Sequence, residues 1–167
     1  NEELYVYGAE KVVSVSNDDL ATFNAKVYAS VIKQVANAQG VSVVIFDSSI
    51  NGLFVAPMIA VALDAGYASN TVALPSSIDP FTVKRKAFSS KAFSNTVISS
   101  DKKVIGVSKN SYGIHENPVS GVTESFDAIL SDADLGVTSV KVERVTGQVT
   151  IADADTVVSA GRGLKGP

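Results

Sequence analysis

Cysteine and tryptophan are absent from the 167 residues, and methionine and histidine occur once each, as Met58 and His115. Without thiols there are no disulfides, no thiolate catalysis and no Cys-based metal site, a composition compatible with a reducing compartment. His115 lies in the loop sequence SYGIHENPVSG, where a lone imidazole has no companion ligands and is expected to face solvent. Strong charge is also missing. The net charge is −3 and the pI about 5.1, and Lys84, Arg85 and Lys86 form the only basic cluster, expected on the solvated face of a strand. That balance gives no electrostatic footprint for nucleic acid. The longest apolar stretch, GLFVAPMIAVAL, falls short of the roughly 20 residues of a membrane span, so a soluble chain without direct membrane insertion is expected. No basic, apolar, small-residue opening reads as a signal or transit peptide. With Met58 as the only methionine, the natural start is expected upstream.

What is present is 46% apolar residues, rich in Val and Ala, on a length that suits one domain with a substantial core. The opening NEELYVYGAEKVVSV predicts a short helix with Asn1 as N-cap and Gly8 just past its end, then a strand through Val12, Val13 and Val15. In SNDDLATFNAKVYASVIKQVANAQG, Leu20, Phe23, Val27, Val31 and Val35 recur at helical spacing. Ser16 or Asn17 is the expected cap and Gly40 the stop. VSVVIF is a continuous β-branched run that fits a parallel strand buried on both faces. The loop DSSING leads into a second helix ended by Gly66; Pro57 is tolerated in a first turn, which puts the start of regular helix near Val55. Beyond Pro75, FTVKRKAF, KAFSNTVIS and KKVIGVS have strand character and are expected to extend the sheet antiparallel. TESFDAILSDADLG reads as an irregular helix, VTSVKVERV as an exposed strand and DTVVSA as a last strand. The alternation implies right-handed crossovers and a three-layer αβα Rossmann-like fold, mostly parallel with additional antiparallel strands.

Few residues carry chemistry. Asp47 to Gly52 stands at the C-terminal end of a presumed parallel strand, where open α/β sheets place ligands, although Asp47 and Ser48 equally suit a helix cap. No serine sits on a strand-to-helix elbow flanked by glycines, and His115 would be the sole base, so nucleophilic catalysis has no machinery. The carboxylates Asp127, Asp132, Asp134, Glu143, Asp153 and Asp155 are dispersed through polar connections and show no pairing. SAGRGLKG is the strongest local signal: Gly161 and Gly163 permit close backbone approach, and Arg162 carries a forked donor suited to a phosphate or a flavin edge. An ordinary surface turn has the same appearance.

Several segments, taken in order, resemble the α subunit of electron transfer flavoproteins: YGAEKVVSV, AKVYASVIKQVA, VSVVIFDSS, then Gly52 with Ala56 and Pro57, and finally VVSAGRGLKGP. The resemblance implies residues 1–154 as an N-terminal α/β scaffold domain truncated at its start, where the family has a further strand, helix and strand. Residues 155–167 would then be the first strand and Gly-rich turn of an FAD-binding domain. Of the flavin contacts it implies only Arg162 here, with Gly161 and Gly163 shaping the turn. It further implies a heterodimer with a β subunit, a non-catalytic electron carrier taking electrons from flavin dehydrogenases such as those of fatty acid β-oxidation and passing them to a membrane quinone reductase. The compartment would be the bacterial cytoplasm or the mitochondrial matrix. Leu53, Met58 and Ser90 depart from the basic residue, arginine and glycine usual at those positions, and VIGVSKN lacks an arginine often found at its end. The competing reading is a stand-alone adenine-nucleotide-binding domain, which requires a phosphate loop between a strand and a helix; DSSING lacks the paired glycines.

Overall fold

The computed structural model describes residues 2–143, 146–149, 151, 154 and 156–164. Helix α1 (Glu2–Val6) ends as Gly8 turns at φ +92° and leads into strand β1 (Lys11–Ser14). The Asn1 cap lies outside the described residues. The next segment is divided where one helix was expected. Asn17 caps only a 3-10 turn (Asp18–Leu20), accepting from the Asp19 N–H at 2.8 Å, and helix α2 (Ala25–Ala38) has its own cap in Asn24. Asn and Asp side chains hold nearby backbone donors in non-helical geometry, so this polar run breaks the helix.

Strand β2 (Val43–Asp47) is followed by helix α3 (Ile50–Leu63), which starts five residues ahead of the expected point. Ser49 caps it, and Pro57 sits in its interior on the exposed side, close to solvent that can meet the carbonyl its ring leaves without a donor. Asp64, in the left-handed region at φ 52°, ends the helix, and Gly66 instead opens strand β3 (Gly66–Thr71). After it come β4 (Ser77–Ile78), β5 (Phe81–Ala87), β6 (Ala92–Ile98), β7 (Lys103–Val107) and β8 (Val122–Ser125).

The architecture is the expected Rossmann-like α/β class with added antiparallel strands. The main sheet runs β2-β7-β3-β5-β4, with β6 on β5. Strands β2, β7 and β3 are parallel, and β4, β5 and β6 pair antiparallel. One placement differs from expectation: β7 lies between β2 and β3 rather than at the antiparallel end. Its Val104, Ile105 and Gly106 are buried, and such an apolar core belongs in the sheet's interior. Strand β2, expected to be buried on both sides, is an edge. Lys103 N–H reaches Ser42 O and Ser48 N–H reaches Val107 O, so by the alternation of a parallel ladder residues 43, 45 and 47 turn their backbone groups to the open side. Ile45, on the face away from the helices, is 66% exposed. Among the described residues, strand β1 pairs only with β8, as a separate parallel sheet.

Helices α2 and α3 pack together on one face of the main sheet through Ala29, Ala36, Ala56 and Ala60, over Val44, Phe46, Tyr67 and Val104. Alanines at the contact let the helices approach closely, and Ile59 at 0% exposure marks the centre. On the opposite face Ala68, Phe81, Val83, Ile98 and Ile105 form a second cluster. Arg85 fastens the β5–β6 hairpin to β3, donating to Ser69 O and Ser69 Oγ at 3.0 Å each. The hairpin turn holds Phe88, Ser89 and Ser90 all at positive φ. Relief of that strain gives the first expected result: Ser90→Gly raises stability by about 0.5 kcal/mol, the left-handed penalty less the entropy of an added glycine, read as a higher urea midpoint.

The irregular helix expected at residues 123–136 is replaced by β8 and a strap across α2. Gln34 takes both backbone groups of Ile129, accepting its N–H at 3.0 Å and donating to its carbonyl at 2.8 Å. A backbone satisfied by a side chain has no need of helical bonds. Ser131 donates from both N–H and Oγ to Asp134, holding that carboxyl below its ordinary range. Residues 137–143 and 156–160 join no ladder; the remainder of both expected strands, at 144, 145 and 155, lies outside the described residues.

Candidate functional site

The C-terminal ends of β2 and β7 and the start of α3 enclose the largest crevice among those described, about 980 Å³, lined by Asp47, Ser48, Ser49, Asn51, Ser108 and Lys109 among others. This is where the sequence placed a possible ligand loop. Its first turn is already occupied by the chain's own groups. Ser49 Oγ accepts the Gly52 N–H at 3.2 Å and donates to Asp47 Oδ1 at 3.0 Å. The Asp47 carboxylate therefore sits at the positive end of α3, where a bound phosphate would meet like charge. Gly52 serves packing: a Cβ there would collide with the Asp47 carbonyl. The cap within DSSING is Ser49 rather than the expected Asp47 or Ser48: Asp47 only accepts from the Ser49 hydroxyl, and the buried Ser48 Oγ has no hydrogen-bond partner among the described residues.

No imidazole lines the crevice. His115 lies exposed in its loop, as expected. Among the described residues no group of three or more His, Asp or Glu is placed to hold a metal ion. No described helix is long and apolar enough to cross a membrane. Behind the crevice, on the sheet face away from the helices, a wholly apolar groove of about 340 Å³ runs between Val43, Ile45, Val107, Leu74 and Tyr112. Burial there pushes the Tyr112 phenol above its ordinary value. Sequence reasoning missed this groove because its walls come from β2, β7 and the chain after β3, joined only by the topology.

Gly161, Arg162 and Gly163 stand together in an exposed turn closed by the Leu164 N–H on Gly161 O at 3.1 Å. Among the described residues, chain neighbours apart, no atom lies within 4 Å of a Cβ built at either glycine. Arg162 is exposed, and no residue of 156–164 lines the crevice.

A sequence model of the electron transfer flavoprotein domain matches residues 1–145. The electron transfer flavoprotein subunit alpha of Bacillus subtilis is 29% identical over 167 residues, 98% of this chain and 51% of that protein. The subunit alpha of Syntrophomonas wolfei is 25% identical over 166 residues, covering 99% and 52%. That of Thermoanaerobacterium thermosaccharolyticum is 26% identical over 175 residues, covering 100% and 52%. The chain spans about half the length of the curated relatives it matches. With the family model covering most of its length, the chain belongs to the electron transfer flavoprotein domain family.

Proposed function

We propose that this chain is the N-terminal scaffold domain of the α subunit of an electron transfer flavoprotein, a carrier that pairs with a β subunit and holds FAD. The observation that carries the reading is the family match over residues 1–145 followed by the Gly161–Arg162–Gly163 turn. Residues 1–154 form the scaffold, and 155–167 lead into the flavin-binding domain. The scaffold does no catalysis; in keeping with this, Ser49 and Asp47 at the crevice wall are engaged with each other and with the first turn of α3.

Arg162 suits FAD by its chemistry: a forked cation with clear backbone on both sides can contact an anionic or polar edge of the cofactor. FAD, when bound, accepts electrons from a donor flavin dehydrogenase and gives them up to a quinone reductase. This chain's share is to hold the turn in position and to support the partner subunit. The compartment is the bacterial cytoplasm, or the mitochondrial matrix in a eukaryote.

Co-expression of the full-length chain with its β partner is expected to give a yellow heterodimer with stoichiometric FAD, and a colourless, monomeric full-length product overturns the reading. The 167 residues alone are expected to show no FAD binding by calorimetry at micromolar concentration, since one arginine turn supplies little of the roughly 8 kcal/mol such affinity requires.

A further inference from the structure

Residues 80–100 hold Lys84, Arg85, Lys86 and Lys91 and no carboxylate, in a chain whose net charge is −3. The β5–β6 hairpin they build has two unlike faces, because paired residues of an antiparallel ladder share a face and neighbours along a strand alternate. Phe81, Val83 and Ile98 lie on one side and are buried, and Arg85 joins them there, tied to Ser69. The other side sets Thr82 opposite Val97, Lys84 opposite Asn95 and Lys86 opposite Phe93. Val97 is 56% exposed and Phe93 61%, and in the turn Phe88 is 77% exposed. Lys84 Nζ stands 4.5 Å from the centre of the Phe93 ring and Lys91 Nζ 5.7 Å from that of Phe88. Among the described residues no carboxylate pairs with Lys84, Lys86 or Lys91.

We infer that this face docks an acidic segment of a separate protein, in a transient contact. Carboxylates of that segment meet the three ammonium groups while an apolar side chain lies against Phe88 or Phe93. Charge selects the occupant. A second copy of the same face would set like charges against one another. The buried centre of a permanent interface is depleted in lysine, and enclosing an ammonium without a paired carboxylate is strongly unfavourable. That composition distinguishes the hairpin from an apolar surface awaiting a resident subunit or further polypeptide.

Lipid and nucleic acid are the poorer fits. Recognition of an anionic bilayer takes clusters of roughly four to eight Lys or Arg, and the outer face of this hairpin has three. A duplex brings a continuous line of phosphates against a chain of negative net charge. A short acidic segment covers the hairpin alone. Contacts of this kind form quickly, weaken with salt and release readily.

The test uses the full-length protein purified with whatever subunit accompanies it. Acetylation by acetic anhydride, read by mass spectrometry, is expected to modify Lys84, Lys86 and Lys91 at rates near those in urea. Protection of all three in the native particle overturns the proposal, because the face is then already covered. The binding probe is a fluorescein-labelled peptide alternating Glu with Phe, followed by anisotropy. Lys84→Gln with Lys86→Gln and Lys91→Gln is expected to weaken binding about tenfold, the combined worth of three exposed ion pairs, at unchanged far-UV dichroism and thermal midpoint. Should that variant misfold, Lys91→Gln alone, in the turn, is expected to give a smaller fall in the same direction. At about 1 M salt, where the Debye length is about 3 Å, binding is expected to vanish. Equal affinity of wild type and variants overturns the proposal, as does binding that survives the salt, or tighter binding to phosphatidylglycerol vesicles or to oligothymidylate than to the peptide. None of these readouts depends on flavin content, so this face and the electron-carrier reading fail separately.

Discussion

Gly52→Ala is expected to destabilise the domain by about 3 kcal/mol, at the upper end of what overpacking costs, because the added methyl has no space to enter. The position lies in the first turn of α3, and the Cβ would drive into the Asp47 carbonyl and approach Asp47 Oδ1 to 2.9 Å. Relieving the clash means moving the end of β2 away from the start of α3, which also pulls Ser49 from its cap on the Gly52 N–H. Gly40→Ala is the matched control. Gly40 has φ +62° and nothing within 4 Å of a built Cβ, so alanine there only adds left-handed backbone strain of about 1 kcal/mol. Urea titration of both variants reads the difference directly, as a large fall in midpoint for Gly52→Ala and a small one for Gly40→Ala at unchanged m. Equal losses would refute the close-approach account of Gly52.

Arg162→Ala in the full-length heterodimer is expected to weaken FAD binding about 10- to 100-fold, the worth of a charge-assisted hydrogen bond of roughly 1.5–3 kcal/mol. Arg162→Lys is expected to recover only part of the loss, because an ammonium keeps the charge but not the planar fork. The measurement is a fluorescence titration of the deflavinated protein with FAD. Neither change should alter the thermal midpoint of the cofactor-free protein, since Arg162 is exposed. Unchanged FAD affinity in the alanine variant removes Arg162 from the flavin site.

How much of this was legible depended on whether the signal was local. Val27, Val31 and Val35 at helical spacing specified α2, and Gly8 and Gly40 marked turns that do take positive φ. Helix α3 starts ahead of the point Pro57 suggests because Ser49 caps it on the Gly52 N–H, and the proline falls on an exposed side where its lost bond is cheap. Strand β3, GYASNT, has neither alternation nor a β-branched run; it is a strand because β7 and β5 pair with it. The strap across α2 depends on Gln34, a residue with no motif around it. For the site, the capping role of DSSING was one of two readings of the same letters. Only the side-chain geometry of Ser49 and Asp47 separates them.

The central position of β7 has a consequence for how the chain acquires its shape during synthesis. Strands β2 and β3 touch β7 and not each other, so until β7 has emerged β3 can pair only with β5, β2 has no ladder to join and α3 has little sheet to lie on. The hairpin of β5 and β6 can close early from local contacts, but the platform beneath both helices waits for Lys103–Val107. Such late, distant pairing slows folding and prolongs exposure of apolar segments, which makes the nascent domain a natural client for chaperones at the ribosome exit.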